Sequence, residues 1–233
     1  MGSEGFGPRI AFFIGDIPVT ETVTVTWLIM FVVFLLSFLA TRNLKKEAKG
    51  SQIIVESIVS TINNLTKQTM GEHNYKWAPY IGTLLILIGV SNLMGLLGFR
   101  PPTADLNTTM CLSITTFVFT QFFGLKSKGI GNYAKGFLQP MPFLLPLNII
   151  GEIANPISLG FRLFGNITAG VIIMSLLYGA LGGLTEALFG LAIPLFQAGA
   201  PAVLHIYFDL FAGLLQSFIF TMLSMVFISG AME

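Results

Sequence analysis

The stretch FLLPLNIIGEIANPISLGFRLFGNITAGVIIMSLLYGAL, residues 143–181, runs for 39 residues with only two charged side chains, Glu152 and Arg162. A second apolar run, Leu184 to Ile228, follows almost at once and extends for 45 residues. As continuous helices they would measure about 58 and 68 Å. The hydrocarbon core of a bilayer is only about 30 Å thick. Such helices must tilt steeply, kink or split. Pro156, Pro194 and Pro201 offer kinks, and splitting both runs would give seven spans instead of five. The reading adopted is two long, strongly tilted helices, about 143–181 and 184–229, joined by a turn at Gly179–Gly183.

The rest of the chain has the same character. Of its 233 residues 54% are hydrophobic and 10% charged, and the mean hydropathy is +0.80. A soluble domain carries about 25% charged residues, so soluble folds are excluded in favour of an all-α integral membrane protein. The net charge of +1 gives no basic field for nucleic acid. The single cysteine, Cys111, forms no internal disulfide and is expected as a small apolar core residue. No basic start followed by an apolar run suggests a signal peptide.

Residues 1–26 read as an external N-terminal segment, and 27–233 as one transmembrane unit. A first span at about 27–44 ends on Arg42, Lys45, Lys46 and Lys49. The positive-inside rule then places the N-terminus outside and, after five spans, the C-terminus in the cytoplasm. In residues 51–70, Ile54, Ile58, Ile62 and Leu65 recur at helical spacing among polar residues, which fits an amphipathic helix on the cytoplasmic interface or one that docks a partner. Further spans are expected at 77–99, opened by the interfacial aromatics Trp77 and Tyr80, and at 106–125, closed by Lys126 and Lys128.

The chemistry concentrates in the last two runs. Between Gln139 and Glu233 the charged side chains are Glu152, Arg162, Glu186 and Asp209, with His205 as a further titratable group. Glu186 stands near the expected turn. The others lie inside apolar segments, where a charge costs about 2.5–3.5 kcal/mol on the insertion scale and is kept by default for function. At about 100° per residue, Asn148, Glu152, Asn155, Ser158, Arg162 and Asn166 share roughly a third of the helix circumference. They form a stripe about 27 Å long. His205, Asp209, Gly213 and Gln216 group likewise on the final helix. Two such faces could meet to line a path for an ion, or could hydrogen-bond to hold the bundle together. A guanidinium keeps its proton at physiological pH, so Arg162 cannot itself relay protons. Its charge has to be offset, by Asp209 or better by a carboxylate arriving from another chain, which it would force to release its cation.

The segment Ser158-Leu159-Gly160-Phe161-Arg162-Leu163-Phe164-Gly165-Asn166, followed by Ala169-Gly170, resembles the signature of subunit a of bacterial F-type ATP synthases. So do Thr103-Ala104-Asp105-Leu106-Asn107-Thr108-Thr109 and Leu215-Gln216-Ser217-Phe218-Ile219-Phe220. The order of elements agrees from Trp27 to the C-terminus. The resemblance implies a non-catalytic stator in the cell membrane, beside a ring of c subunits and held by b subunits, with nucleotide chemistry on the F1 sector. It implies two offset half-channels that load and unload the ring carboxylates. Arg162 takes the place of the essential arginine, and Asn166 and Gln216 that of its polar neighbours. Two positions depart from the pattern. Val171 stands nine residues after the arginine, where some members carry Glu. Asp209 stands seven residues before the glutamine, where some carry His or Glu. The half-channel acid is then Asp209, alone or with His205, and Glu152 suits the cytoplasmic entrance. No resident cofactor or metal is implied. The coupling ion is H⁺ or Na⁺, with Asn148, Asn155, Ser158, Asn166 and Gln216 as neutral oxygens compatible with Na⁺. A self-sufficient transporter or a membrane scaffold are the competing readings. No phosphate-binding loop motif is present in the sequence.

Overall fold

A computed structural model describes residues 10–42, 44–45, 50–189 and 199–232. Lys46, Lys49 and Pro194 lie outside the described residues, as does the side chain of Glu186. The chain opens on a two-stranded antiparallel hairpin, β1 (Ile10–Ile14) and β2 (Ile17–Thr20). Gly15, at φ 63°, makes its reversal. The hairpin lies within the segment expected only as an external N-terminal stretch.

Among the described residues eight α-helices follow: α1 (Glu21–Thr41), α2 (Ser51–Met70), α3 (Ala78–Leu93), α4 (Leu106–Lys128), α5 (Ile130–Gly136), α6 (Leu145–Phe189), α7 (Ala200–His205) and α8 (Gly213–Met232). A π-helical turn, Ile206–Ala212, joins the last two. Among the described residues five segments are long and apolar enough to cross a membrane: Glu21–Thr41, Glu72–Leu97, Leu106–Lys128, Pro142–Thr185 and Pro201–Met232. The fold is an all-α membrane protein.

The differences from the sequence expectations have local causes. α1 starts six residues earlier than Trp27, because the threonines of its first turns satisfy themselves on the helix. Thr24 donates to the Glu21 carbonyl at 2.8 Å, and Thr26 to that of Thr22 at 2.7 Å. A hydroxyl bonded this way can enter an apolar helix. α4 starts where Asp105 caps it by accepting from the Asn107 amide at 3.0 Å. The turn expected at Gly179–Gly183 does not form. α6 continues through these glycines as one helix of 45 residues, with Pro156 inside it. Its length is about 68 Å. Leu184 lies within α6, and among the described residues the final helical segment runs from Ala200.

Packing centres on α3, α4, α6 and α8. Leu84 and Ile88 of α3, Leu159, Leu163 and Ile167 of α6, and Phe220 of α8 form one buried cluster. Met70, Trp77, Ile81, Met225 and Ile228 form another, which docks the end of α2. Ile54 and Ile58, nearer the start of α2, remain exposed. α4 is inverted relative to a water-soluble helix. It buries Thr109, Ser113, Thr116 and Thr120 and exposes Ile114, Val118 and Phe122. Lipid accepts the apolar side chains, while hydroxyls and small residues allow close helix contact. Cys111 lies on the exposed side of α4, so its expected core placement is incorrect. α4 packs tightly on α6 at Gly160, where an added Cβ would come within 2.6 Å of Met110 Sδ and 2.8 Å of Ser113 Oγ.

Candidate functional site

α6 has two faces. Leu159, Gly160, Leu163, Ile167 and Gly170 are buried against the bundle, whereas Ser158, Arg162 and Asn166 are exposed. The 3.6-residue period explains this directly, since placing Leu159 and Leu163 inward rotates Arg162 out. Arg162 therefore presents its guanidinium on the outside of the subunit. Among the described residues no carboxylate lies within ion-pair distance of it, so the considered Arg162–Asp209 pair is not made.

One helical turn beyond Arg162, the two polar faces expected from the sequence touch. Asn166 Nδ2 donates to Gln216 Oε1 at 2.7 Å, tying α6 to α8. Gln216 is buried, and its Nε2 has no partner.

Asn148, Glu152 and Asn155 line a cavity of about 530 Å³ on one side of this bridge. Ser113, Thr116 and Thr120 of α4 line it too, with Lys128 at the end of α4, Tyr133 of α5 and Gly230 near the end of α8. Glu152 is ten residues from Arg162, about 15 Å along the helix. Asn148 also has a structural task, since its Nδ2 donates to the carbonyls of Phe137 at 2.8 Å and Gln139 at 3.0 Å. Tyr133 was not singled out by the sequence. Its phenol donates to Gln121 Oε1. Burial, reinforced by the Glu152 carboxylate, pushes the phenol above its ordinary value.

At the opposite end of the bundle, Asp209 sits in the π-helical turn. His205 Nδ1 lies 2.5 Å from Asp209 Oδ2, and Tyr178 Oη of α6 lies 3.0 Å from His205 Nε2. The carboxylate rests on Gly95, just after α3, where an added Cβ would come within 3.0 Å of Asp209 Oδ1. Tyr178 was likewise missed, because a single tyrosine in an apolar helix carries no sequence signal until its partner is known. Asn92 was missed for the same reason. It donates to the Gly213 carbonyl at 2.7 Å and accepts from Thr103 at 2.5 Å. With Thr116 and Ser224, 3.2 Å apart, it belongs to the hydrogen bonds that join helices.

The arrangement is a permanent cation on the outer face of the bundle, flanked by one carboxylate cluster toward each end. It can exchange a cation with a mobile acid brought alongside. The family described as ATP synthase A chain matches residues 23–229. The chain belongs to the ATP synthase subunit a family. It is 38% identical over 235 residues to ATP synthase subunit a of Legionella pneumophila, covering 100% of this chain and 95% of that one. It is 35% identical to that of Moorella thermoacetica, covering 96% and 95% of the two chains. It is also 35% identical to a protein of Propionigenium modestum named ATP synthase subunit a, sodium ion specific, covering 97% and 78%. As a member of this family it is a membrane-embedded, ion-translocating stator of a rotary F-type ATP synthase. It is not itself catalytic, and ATP chemistry belongs to the F1 subunits of the complex.

Proposed function

We propose that Arg162 faces a ring of c subunits, and that each ring carboxylate passing it is unloaded on one side and reloaded on the other through two half-channels. The observation that carries this reading is the exposure of Arg162 on the outer face of α6, without an internal counter-ion among the described residues. A fixed cation so exposed within an apolar surface is stabilised by an acid from outside. The cavity with Glu152, Asn155 and Asn148 is the cytoplasmic half-channel, and Asp209 with His205 serves the external one. Asn166 and Gln216 brace the helix pair beside Arg162, and Ser158 extends the ring-facing stripe. The length of α6, about twice the hydrocarbon thickness, lets it lie steeply tilted along the ring and span both half-channels. The b subunits hold the stator in a bacterial cell membrane, with the N-terminus outside and the C-terminus in the cytoplasm.

The coupling ion in this reading is the proton, since titratable groups stand on both access routes. Na⁺ is the second reading, favoured by the sodium-specific name of the Propionigenium relative. ATP synthesis by the complex in vesicles, driven by a pH difference in Na⁺-free medium, separates the two. The central test is Arg162→Ala in the assembled complex. The expected result is retained assembly with no coupled ATP synthesis, and normal coupled synthesis would overturn the proposal.

A further inference from the structure

We propose that Tyr178, His205 and Asp209 act as one hydrogen-bonded unit in which Asp209 takes a proton on Oδ1, while His205, its tautomer set by Tyr178, holds Oδ2. This rests on the reading of Asp209 as the external half-channel acid, and it assigns a role to two side chains which that reading leaves open.

The accounting of donors fixes the unit. A neutral imidazole has one N–H and one lone pair. A carboxylate only accepts, so Nδ1, 2.5 Å from Oδ2, carries the hydrogen. Nε2 is then the acceptor, and the Tyr178 hydroxyl 3.0 Å away donates to it. The phenol locks the tautomer that faces an N–H toward Asp209. Chains of this kind reinforce each other, a donor into Nε2 making Nδ1–H the stronger donor. The side chain of His205 is 28% exposed and that of Asp209 13%, so the imidazole stands between open surroundings and a carboxylate that is mostly enclosed. The carboxylate as a whole lies over Gly95, where an added Cβ would come within 3.0 Å of Cγ and Oδ1 and 3.2 Å of Oδ2, and Oδ2 is the oxygen engaged by His205.

The proton step balances simply. A hydronium gives its proton to Oδ1, one O–H bond forms as another breaks, and Asp209 becomes neutral. Nδ1–H keeps its hydrogen throughout and donates to a charged oxygen before the step and a neutral one after it. The charged form gains more from that bond than the neutral one.

Among the described residues, the side chain bonded to Asp209 is that of His205. The π-helical turn packs against α3, α6, α7, α8 and the turn Met94–Leu97. Their titratable or charged residues are Tyr80 on α3, Glu152, Arg162, Tyr178 and Glu186 on α6, and His205 on α7; α8 and the 94–97 turn have none. Tyr207 stands in the π-helical turn itself, exposed, and Arg100 five residues after Gly95. Of the described side chains among these, only Tyr178 and His205 form the chain to Asp209.

The test uses the whole ATP synthase in vesicles, in Na⁺-free medium at a fixed membrane potential. ATP synthesis is followed as pH is varied on the side that Asp209 serves. Removing the Nδ1 donor with H205L moves the pH midpoint upward by about one unit, the size expected of a hydrogen bond to a charged group. Y178F removes only the hydroxyl and moves it the same way by about half a unit or less. A Y178F profile that superimposes on the wild type, or shifts downward, overturns the inference. If D209N in the same series still loses at least tenfold in rate, the half-channel reading survives that failure. A D209N rate equal to wild type, or a wild-type enzyme inactive without Na⁺, overturns both.

Discussion

The bridge between Asn166 and Gln216 yields an asymmetry that burial alone would predict wrongly. Gln216 is 2% exposed and Asn166 is exposed, so truncating the buried partner would ordinarily be the more damaging change. The hydrogen-bond inventory reverses this. Gln216 Oε1 is satisfied only by Asn166, and Gln216 Nε2 is already buried without a partner. Asn166→Ala therefore leaves the whole buried amide unpaired, a loss of about 1–3 kcal/mol. Gln216→Leu instead removes the buried amide and keeps similar volume. It leaves Asn166 on an exposed face, where its amide can find other partners, so the loss is below about 1 kcal/mol. In the double variant the Asn166 change adds little, because its buried partner is already gone. The expected coupling between the two sites is about 1 kcal/mol. Thermal release of this subunit from the detergent-solubilised complex measures each term. A larger loss for Gln216→Leu than for Asn166→Ala, or strict additivity, would refute the reasoning.

Other outcomes can be checked in parallel. Gly160→Val forces Met110 and Ser113 from their places at this tight α4–α6 contact, at a cost of about 1–3 kcal/mol by overpacking, read as reduced subunit incorporation. Asn92→Ala removes the link from α3 to the Gly213 carbonyl and strands the Thr103 hydroxyl. It should destabilise the complex by about 2 kcal/mol, seen as a lower release temperature. Tyr133 titrates above its ordinary 10.0 because of burial and Glu152. Its contribution to stability is whole below that value and is lost as pH rises through the higher folded-state value. The alkaline loss of subunit stability above about pH 10 should therefore flatten in Tyr133→Phe, and unchanged alkaline profiles would exclude this origin.

Much of the molecule was legible in the residues themselves. Apolar length against bilayer thickness is a one-dimensional comparison, so the membrane class and five spans followed from runs such as 143–181. The costly charge of Arg162 and the 100° rule likewise put Asn155, Ser158, Arg162 and Asn166 on one stripe. The continuous helix through Gly179–Gly183 was not legible, because a glycine's local preference is weak and a 45-residue helix is fixed by what it packs against. The angular reading of the last helix also assumed a uniform 100° step, which the π-helical turn at Ile206–Ala212 breaks.

The sequence by itself determined that a permanent cation sits in an apolar helix among polar neighbours, because composition and periodicity need no partner to be read. Only the tertiary structure decided which way that stripe turns and what each group meets. Leu159 and Leu163 filling the bundle rotate Arg162 outward, and α4 turns its threonines in and Cys111 out because lipid takes the place of water. The approach of α6 to α7 brings Tyr178 to His205 and so to Asp209, across 27 residues of chain between the first two. Contacts of that kind depend on how helices pack, which no single helix encodes.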